Sequence, residues 1–245
     1  MMRALQAIIL DFDGVIADSE RLHLRAYQDV LAKLGLDLPD EAYFAEYLGY
    51  DDQGVFRRYS QDQGLSWTDE GIAGLVSAKG SRFEELADRG QMLFAGADAF
   101  IRTAAAAVPI GIASGALTHE IEDILEGADL RRLFSAIVGA DQCARTKPSP
   151  DPYLEAFHRL SSSAKPLDKT RTVAIEDSRW GLVSAGTAGL RCVAVTNTYK
   201  AEELAVHAEL VVSGLDVLTL DVLDRLCEQE VGRAARPSDE QGSRL

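Results

Sequence analysis

Two aspartates, Asp11 and Asp13, lie two residues apart in the stretch "AIILDFDGVIADSE", directly after a short apolar run. Gly14 follows at once, so the pair could form a solvent-exposed Asp-Gly turn with no chemical role. The same pair could act in catalysis, because one carboxylate can attack phosphorus while a second protonates the leaving oxygen. Taken alone, the spacing permits both interpretations.

Two more polar groups follow apolar runs further along the chain. Ser114 and Gly115 come directly after one run, and could either cap a helix or bind a phosphate through a hydroxyl and backbone amides. Glu176, Asp177 and Ser178 come directly after another. They could likewise cap a helix, or they could hold Mg²⁺, since hard divalent cations prefer carboxylate oxygens.

A lysine, Lys147, opens the stretch "KPSPDPY". It could be a surface residue before a helix that Asp151 caps, with Pro152 in the first turn. Alternatively, it could neutralise a nucleophilic carboxylate and a bound phosphate. Two carboxylates about 4 Å apart repel by roughly 4 kcal/mol at an effective dielectric constant near 20. Gathering Asp11, Asp13, Glu176 and Asp177 therefore requires cations, and a metal ion together with Lys147 would supply them.

Short apolar runs alternate along the chain with longer segments of helical spacing. The runs predict buried strands and the longer segments predict helices, which together indicate an α/β fold with a parallel sheet covered on both faces. Ligands bind such sheets outside the carboxyl ends of the strands, so the polar groups should converge on one rim. The predicted strands are 7–10, 108–113, 136–138, 172–175 and 192–195, and the predicted helices are 118–127, 152–160 and 181–188.

One interval, residues 19–89, contains no convincing strand, and its segments 22–34 and 72–86 have helical spacing. Breaks in the helical pattern at 35–39, 49–54 and 64–67 predict about four helices joined by short loops. We therefore expect a discontinuous α/β core over 1–18 and 91–230, and a small helical cap domain over 19–90. The polar, aperiodic segment 231–245 should be a poorly ordered tail.

The composition limits the class of protein. With 47% hydrophobic and 26% charged residues over 245 positions, the chain has the make-up of a globular protein. Its net charge of −14 argues against nucleic-acid binding, which requires a basic surface. The three cysteines form no close pair, so neither a disulfide framework nor a zinc site is expected, and a reducing cytoplasm fits best. The N-terminal apolar stretch is too short to span a membrane, and we expect no membrane attachment.

The order of these motifs resembles the haloacid dehalogenase superfamily over about residues 5–215, and the insert resembles the helical cap of the branch that contains β-phosphoglucomutase and phosphoglycolate phosphatase. The resemblance implies a Rossmann-like core and Mg²⁺ as cofactor. Asp11 would be the nucleophile, and Asp13 the acid and base with its main-chain carbonyl on the metal. By the same resemblance, Ser114 with Gly115 would bind phosphate, Lys147 would stabilise charge, Asp177 would bind the metal, and Glu176 would be a direct or water-mediated ligand.

The insert resembles the mutases of this branch only in part. His23 and Lys79 match a histidine and a lysine of the mutase cap, which implies a role in substrate binding. Asp51 and Asp52, however, stand where those mutases place an arginine for a second phosphate, and Leu117 stands where they have a lysine.

These features favour hydrolysis of a small phosphorylated metabolite, such as a sugar phosphate or related phosphate monoester, through an aspartyl-phosphate. The presence of Asp13 favours phosphoryl transfer over dehalogenation, because dehalogenases lack this second aspartate. A phosphosugar mutase and a catalytically silent binding protein remain the alternatives, and we expect a monomer or a weak dimer.

Overall fold

A computed structural model describes residues 3–47, 50, 52–87, 93–163 and 166–229. Within these residues, six strands form one parallel sheet in the order β3-β2-β1-β4-β5-β6. This confirms the predicted α/β fold. The strands are β1 (Ala7–Leu10), β2 (Ile110–Ala113), β3 (Ala136–Val138), β4 (Thr172–Glu176), β5 (Arg191–Val195) and β6 (Leu210–Val212).

Each of the five predicted strands is present, but β6 was not predicted. Its three residues lie half-buried at the edge of the sheet, so they form a shorter and less distinct apolar run than the central strands. The start of β2 was also predicted too early, since Val108 and Pro109 precede the strand.

The helices of the sheet region cover both faces of the sheet. They bury two separate clusters, because alternate residues of a strand point to opposite faces. In β1, Ile8 and Leu10 pack in one cluster, while Ala7 and Ile9 pack in the other. Burial on both faces explains why the central strands read as continuous apolar runs. The helices are α5 (Ala97–Ala105), α6 (Thr118–Gly127), α7 (Asp151–Ser163), α8 (Arg179–Ala188), α9 (Ala201–Leu204) and α10 (Leu220–Glu228).

The helical segment, residues 19–87, has a third cluster of its own, which is rich in aromatic rings. Tyr27 meets Phe56 edge-on at 5.4 Å between ring centroids, and Tyr59 stacks on Trp67 at 6.0 Å. The elements are α1 (Ser19–Ala32), α2 (Asp40–Ala42), a π-helical turn (Tyr43–Tyr47), α3 (Asp52–Asp62) and α4 (Asp69–Ala87).

Two of the three predicted breaks, 35–39 and 64–67, lie between helices of this segment. The third, 49–54, extends into α3, which begins at Asp52 and includes Gly54. The predicted domain boundary at 90 and 91, and the predicted tail 231–245, lie outside the described residues. No helix in the described part of the chain is long and apolar enough to cross a membrane.

A buried arginine, Arg191, ties the start of β5 to the end of α10. Its side chain is 1% exposed, pairs with Glu209 at 3.0 Å, and donates hydrogen bonds to the carbonyls of Leu226 and Gln229. These carbonyls lie at the C-terminus of a helix, where no further turn supplies a donor. Arg191 therefore satisfies backbone groups that would otherwise lack a partner.

We predict that Arg191→Met lowers the free energy of unfolding by about 2–4 kcal/mol, because it leaves buried acceptors without a donor. Arg145→Met is the control, since Arg145 forms its pair with Asp151 while 73% exposed, and such pairs contribute less than about 1 kcal/mol. Urea unfolding of both variants measures the difference. Equal losses would contradict a structural role for Arg191.

Candidate active site

A lysine whose side chain is 12% exposed, Lys147, joins two carboxylates at the carboxyl ends of neighbouring strands. Its Nζ lies 2.7 Å from Asp11 Oδ1 and 2.6 Å from Glu176 Oε1. β1 and β4 are adjacent, with Leu10 opposite Ile175, so the next residue along β1 lies beside the end of β4. The structure thus brings together side chains that are far apart in sequence, at the rim that the strand pattern indicated.

The carboxylate of Glu176 is held by donors on both oxygens. Oε1 accepts from Lys147 and from the hydroxyl of Tyr153 at 3.0 Å. Oε2 accepts from the amides of Asp177 and Ser178, each at 3.1 Å, and from the Ser178 hydroxyl at 2.9 Å. Glu176 is fully buried, and these bonds offset the cost of removing its charge from water. The main effect of Glu176 is to hold the Lys147 side chain in place.

Burial and mutual repulsion perturb the acidic side chains. Burial, followed by the charge of Glu176, raises the pKa of Asp11 well above its usual value, although Lys147 opposes the shift. The same two causes raise the pKa of Asp177 to about 7. Burial disfavours the charged form of Lys147, but Asp11 and Glu176 outweigh it and raise its pKa. Three carboxyl groups thus lie near one ammonium group, so full ionisation would leave the site with an excess of negative charge.

This excess fits a divalent cation. Carboxylate oxygens of Asp11, Glu176 and Asp177 lie within 4.8 Å of one another, and all are hard donors of the kind that Mg²⁺ prefers. The side chain of Asp13 is outside this cluster, so its predicted metal contact rests on the main-chain carbonyl. Because Glu176 already accepts hydrogen bonds on both oxygens, Asp11 and Asp177 are the better candidates for direct ligands.

Gly14 brings the backbone after β1 against Asp177. A Cβ at this position would lie 1.9 Å from Asp177 Oδ2, and the residue has a left-handed φ of 77°. The Gly14 carbonyl accepts from Asn197 Nδ2 at 2.7 Å, and Thr198 hydrogen-bonds to Asp177. Asn197 and Thr198 follow β5, so the rule of inspecting strand ends would have found them. Neither residue was predicted as part of the site.

An open cleft of about 460 Å³ lies above this cluster. Ser114 and Gly115 border it, and Ser114 Oγ accepts from the amide of Ala116 at 3.1 Å. Ser114 is not a helix cap, because α6 begins at Thr118 with Leu117 in the cap position. The residues around the cleft are Asp11, Asp13, Ser114, Gly115, Lys147, Pro148, Asp177, Ser178 and Trp180.

Ser178 caps a helix, which is one of the two roles that the sequence predicted for the stretch from Glu176 to Ser178. Its hydroxyl accepts from the amide of Gly181 at 3.1 Å, at the start of α8. The same hydroxyl donates to Glu176, so the cap and the candidate site share one side chain. Trp180 and Tyr153 carried no signal in our sequence analysis, since a single aromatic residue in a helix usually belongs to the core.

His23 and Lys79 lie together in the helical segment. Lys79 Nζ is 2.5 Å from His23 Nδ1 and 2.8 Å from Asp52 Oδ1, and Tyr27 donates to the same Asp52 oxygen at 2.6 Å. Lys79 is only 2% exposed. Burial, followed by the charge of Lys79, lowers the pKa of His23 to about 4. The pair therefore consists of a neutral imidazole and a charged ammonium that Asp52 balances.

Only His23 of this pair approaches the cleft. It borders a second cavity of about 220 Å³, which also touches Asp13 and Gly115. Lys79 borders neither of these two cavities. Of the two acidic residues that depart from the mutase pattern, Asp51 lies outside the described residues, and Asp52 is the partner of Lys79. Leu117, the other departure, is 41% exposed.

The family model described as haloacid dehalogenase-like hydrolase matches residues 8–195, most of the chain. The chain belongs to this family. The superfamily resemblance seen in the motifs is thereby confirmed, and so is the prediction that the protein is an enzyme of the hydrolase class.

Several known proteins are similar to this hydrolase over most of its length. Protein CbbY of Rhodobacter capsulatus is 31% identical over 80% of this chain and 87% of its own length. Hexitol phosphatase B of Escherichia coli is 30% identical over 79% of this chain and 84% of its own length. The crystal structure of CbbY from Rhodobacter sphaeroides in complex with phosphate superposes with a TM-score of 0.70 at 29% identity, over 87% of this chain and 96% of that one.

We predict that Gly14→Ala destabilises the hydrolase by at least about 2 kcal/mol more than Gly35→Ala. Both glycines have a left-handed φ, so each substitution carries a similar backbone penalty of about 1–2 kcal/mol. Only at Gly14 does the new Cβ collide with Asp177, since nothing lies within 4 Å of a Cβ at Gly35. Urea unfolding tests this, and equal losses would mean that the loop moves freely away from Asp177.

We also predict that His23 makes stability depend on pH. Its pKa in the folded state, about 4, lies below the unfolded value near 6.5, so the unfolded state binds the proton between these values. Stability should therefore fall by up to about 3 kcal/mol as the pH drops from 6.5 towards 4. In His23→Asn, urea unfolding at several pH values should show a shallower slope than in wild type. His207→Asn, at an exposed histidine, should keep the wild-type slope.

Proposed function

We propose that the protein is a magnesium-dependent phosphatase that hydrolyses a small phosphorylated metabolite through an aspartyl-phosphate on Asp11. The observation that carries this proposal is the bridge of Lys147 between Asp11 and Glu176, with Asp177 beside them. A structural ion pair would need no open cleft above it, whereas Asp11 and Lys147 both border one.

The hydrogen bonds of Asp11 support its proposed role as the nucleophile. Among the described residues, its hydrogen bonds come from Lys147 Nζ at 2.7 Å and the Phe12 amide at 2.8 Å, and both go to Oδ1. In the proposed reaction, Oδ2 forms a bond to phosphorus as the bond from phosphorus to the leaving oxygen breaks. Lys147 would hold Oδ1 in place and balance the charge that gathers on the phosphoryl oxygens.

Asp13 would move the proton in both halves of the reaction. It borders the cleft beside Asp11, and its carboxyl group would protonate the leaving oxygen in the first half. In the second half it would accept a proton from water, which attacks phosphorus and releases Asp11 Oδ2 with free phosphate. Ser114 and the Gly115 amide would hold the phosphoryl oxygens.

Mg²⁺, held by Asp11, Asp177 and the Asp13 carbonyl, would supply positive charge to the phosphate. We assign Glu176 an indirect role, because its hydrogen bonds already hold Lys147 and the start of α8. Asp177 is kept against Gly14 and Thr198, which limits the positions that its carboxylate can take.

We infer that the helical segment is a cap over the core. Glu20, at the start of α1, lies close enough to Asp13 that, after burial, the Asp13 charge helps to raise its pKa. His23, one turn later, borders a cavity with Asp13. Movement of this segment would exclude water and seat the leaving group, as lids do in many enzymes.

Hydrolysis is favoured over a mutase reaction by the charges of the cap. A mutase that retains a bisphosphate needs a cation for the second phosphate, and Lys79 is buried and already paired with Asp52. The similarity to a hexitol phosphatase supports a sugar or sugar-alcohol phosphate as substrate. The three unpaired cysteines fit a cytoplasmic location, and a monomer or weak dimer stays our prediction.

We predict that Asp11→Asn lowers kcat by at least about 10³-fold, because an amide oxygen is a poor nucleophile. Circular dichroism should show an unchanged fold, since the two side chains have the same shape. Asp98→Asn, which removes an exposed helix ion pair, should keep the wild-type rate. Phosphate release from a panel of phosphorylated metabolites provides the measurement. Wild-type turnover by Asp11→Asn would refute the assignment of Asp11 as the nucleophile.

A second prediction separates hydrolysis from isomerisation and tests the metal. With β-glucose 1-phosphate and a bisphosphate primer, a phosphatase releases one free phosphate for each substrate lost, whereas a mutase produces isomer with little phosphate. We expect the first result, its loss with a chelator, and its recovery with Mg²⁺. Isomer without phosphate would support the mutase, and a chelator-insensitive rate would contradict the metal site. No turnover of any compound would support a silent binding protein.

A further inference from the structure

Trp180 is a large aromatic residue that the fold leaves half exposed. Its side chain is 50% exposed in the first turn of α8, although burying an aromatic ring of this size is normally favourable. The next residue, Gly181, packs against Glu176 so closely that a Cβ there would lie 1.6 Å from Oε1. The backbone that carries Trp180 is therefore held at a fixed position beside the candidate site.

Trp180 borders the same cleft as Asp11 and Lys147. The other side chains there are mainly carboxylates, a lysine and hydroxyls, which suit a phosphate and its metal. Trp180 and Pro148 instead present apolar surface. The guanidinium of Arg179 lies 4.2 Å from the centre of the Trp180 ring, so a cation already occupies one face. The exposed half of the residue leaves surface for contact with a ligand.

The cleft has more room than a phosphate group fills. Its volume of about 460 Å³ equals that of roughly fifteen water molecules in the liquid, whereas a phosphate has five heavy atoms. The remaining volume of this open cleft is available to the leaving group of the substrate. Pockets of this kind combine apolar and aromatic walls with a few polar groups that fix orientation.

We propose that Trp180 determines substrate specificity by packing against the leaving group, and that it favours phosphate monoesters whose leaving group has a ring with an apolar face. This inference rests on the proposed phosphatase function and names the substrate class of the same cleft. An indole ring offers a flat, electron-rich face to C–H groups, and it loses little conformational entropy on binding. A short, flexible leaving group has no comparable face to offer.

Kinetics with a matched pair of primary alcohol monoesters provide the first test. For Trp180→Ala, kcat/KM for glucose 6-phosphate should fall about fivefold to tenfold more than kcat/KM for glycerol 3-phosphate, mainly through KM. Trp180→Phe, which restores an aromatic face, should recover most of the difference. Equal losses on both substrates, or no recovery by phenylalanine, would overturn the inference.

Fluorescence provides a second test that does not need turnover. The chain has two tryptophans, Trp67 and Trp180, and Trp67 packs on Tyr59 in the helical segment. In the Asp11→Asn, Trp67→Phe variant, the emission therefore comes from Trp180 alone. Phenyl phosphate and glucose 6-phosphate should shift or quench it in a saturable way, and glycerol 3-phosphate should change it far less.

The control for this titration is Asp11→Asn, Trp180→Phe, in which Trp67 alone emits and should not respond to either ring-bearing ligand. An unchanged Trp180 signal at saturating phenyl phosphate, or the same response to glycerol 3-phosphate, would overturn the inference. The two proposals fail in different ways. If the chain released no phosphate from any compound, the phosphatase would be refuted, while the Trp180 signal would still show whether ring-bearing phosphates bind.

Discussion

The arrangement of the candidate site depends on one largely enclosed ammonium group, that of Lys147, which lies between two carboxylates. A buried charge is costly unless it is paired and fully hydrogen-bonded, and Lys147 meets this condition only with Asp11 and Glu176 both in position. This requirement extends outwards. Glu176 keeps its place through Tyr153 below it and Ser178 beside it, and Ser178 in turn fixes the first turn of α8. The chemistry and the local fold are therefore held by the same set of hydrogen bonds, so neither can change alone.

Close backbone approach is the second condition for this geometry. At Gly14 and Gly181, a single methyl group would overlap the carboxylates of Asp177 and Glu176. Both acidic groups are thus enclosed by main chain, which cannot rotate away as a long side chain can. This rigidity keeps the like charges of Asp177 and Glu176 close together, whereas flexible side chains would move apart to reduce their repulsion. It also explains how the site retains an excess of negative charge that a metal ion and a phosphate can use.

The strand pattern was readable from the sequence because the central strands are buried on both faces, as Ala7–Leu10 illustrates. The convergence of Asp11 and Asp177 was predicted because both follow strands of a parallel sheet, whereas the role of Lys147 came from the order of the motifs. Other features depend on contacts between distant residues and leave no local trace. Nothing near Tyr153 shows that its hydroxyl reaches Glu176, and nothing near Lys79 shows that Asp52 neutralises it. The edge strand β6 was missed because partial burial weakens its apolar pattern. Ser114 was open to two interpretations until the start of α6 at Thr118 excluded a helix cap.

The helical segment buries its aromatic residues in a cluster separate from the two that flank the sheet. Substitutions among Tyr27, Phe56 and Tyr59 would therefore be absorbed within that cluster, with little strain passed to the strands. During evolution, such a division allows the surface of the helical segment to diverge while the residues around Lys147 stay under separate selection. Descendants of one ancestral enzyme could in this way acquire new metabolites without first surrendering their catalytic power.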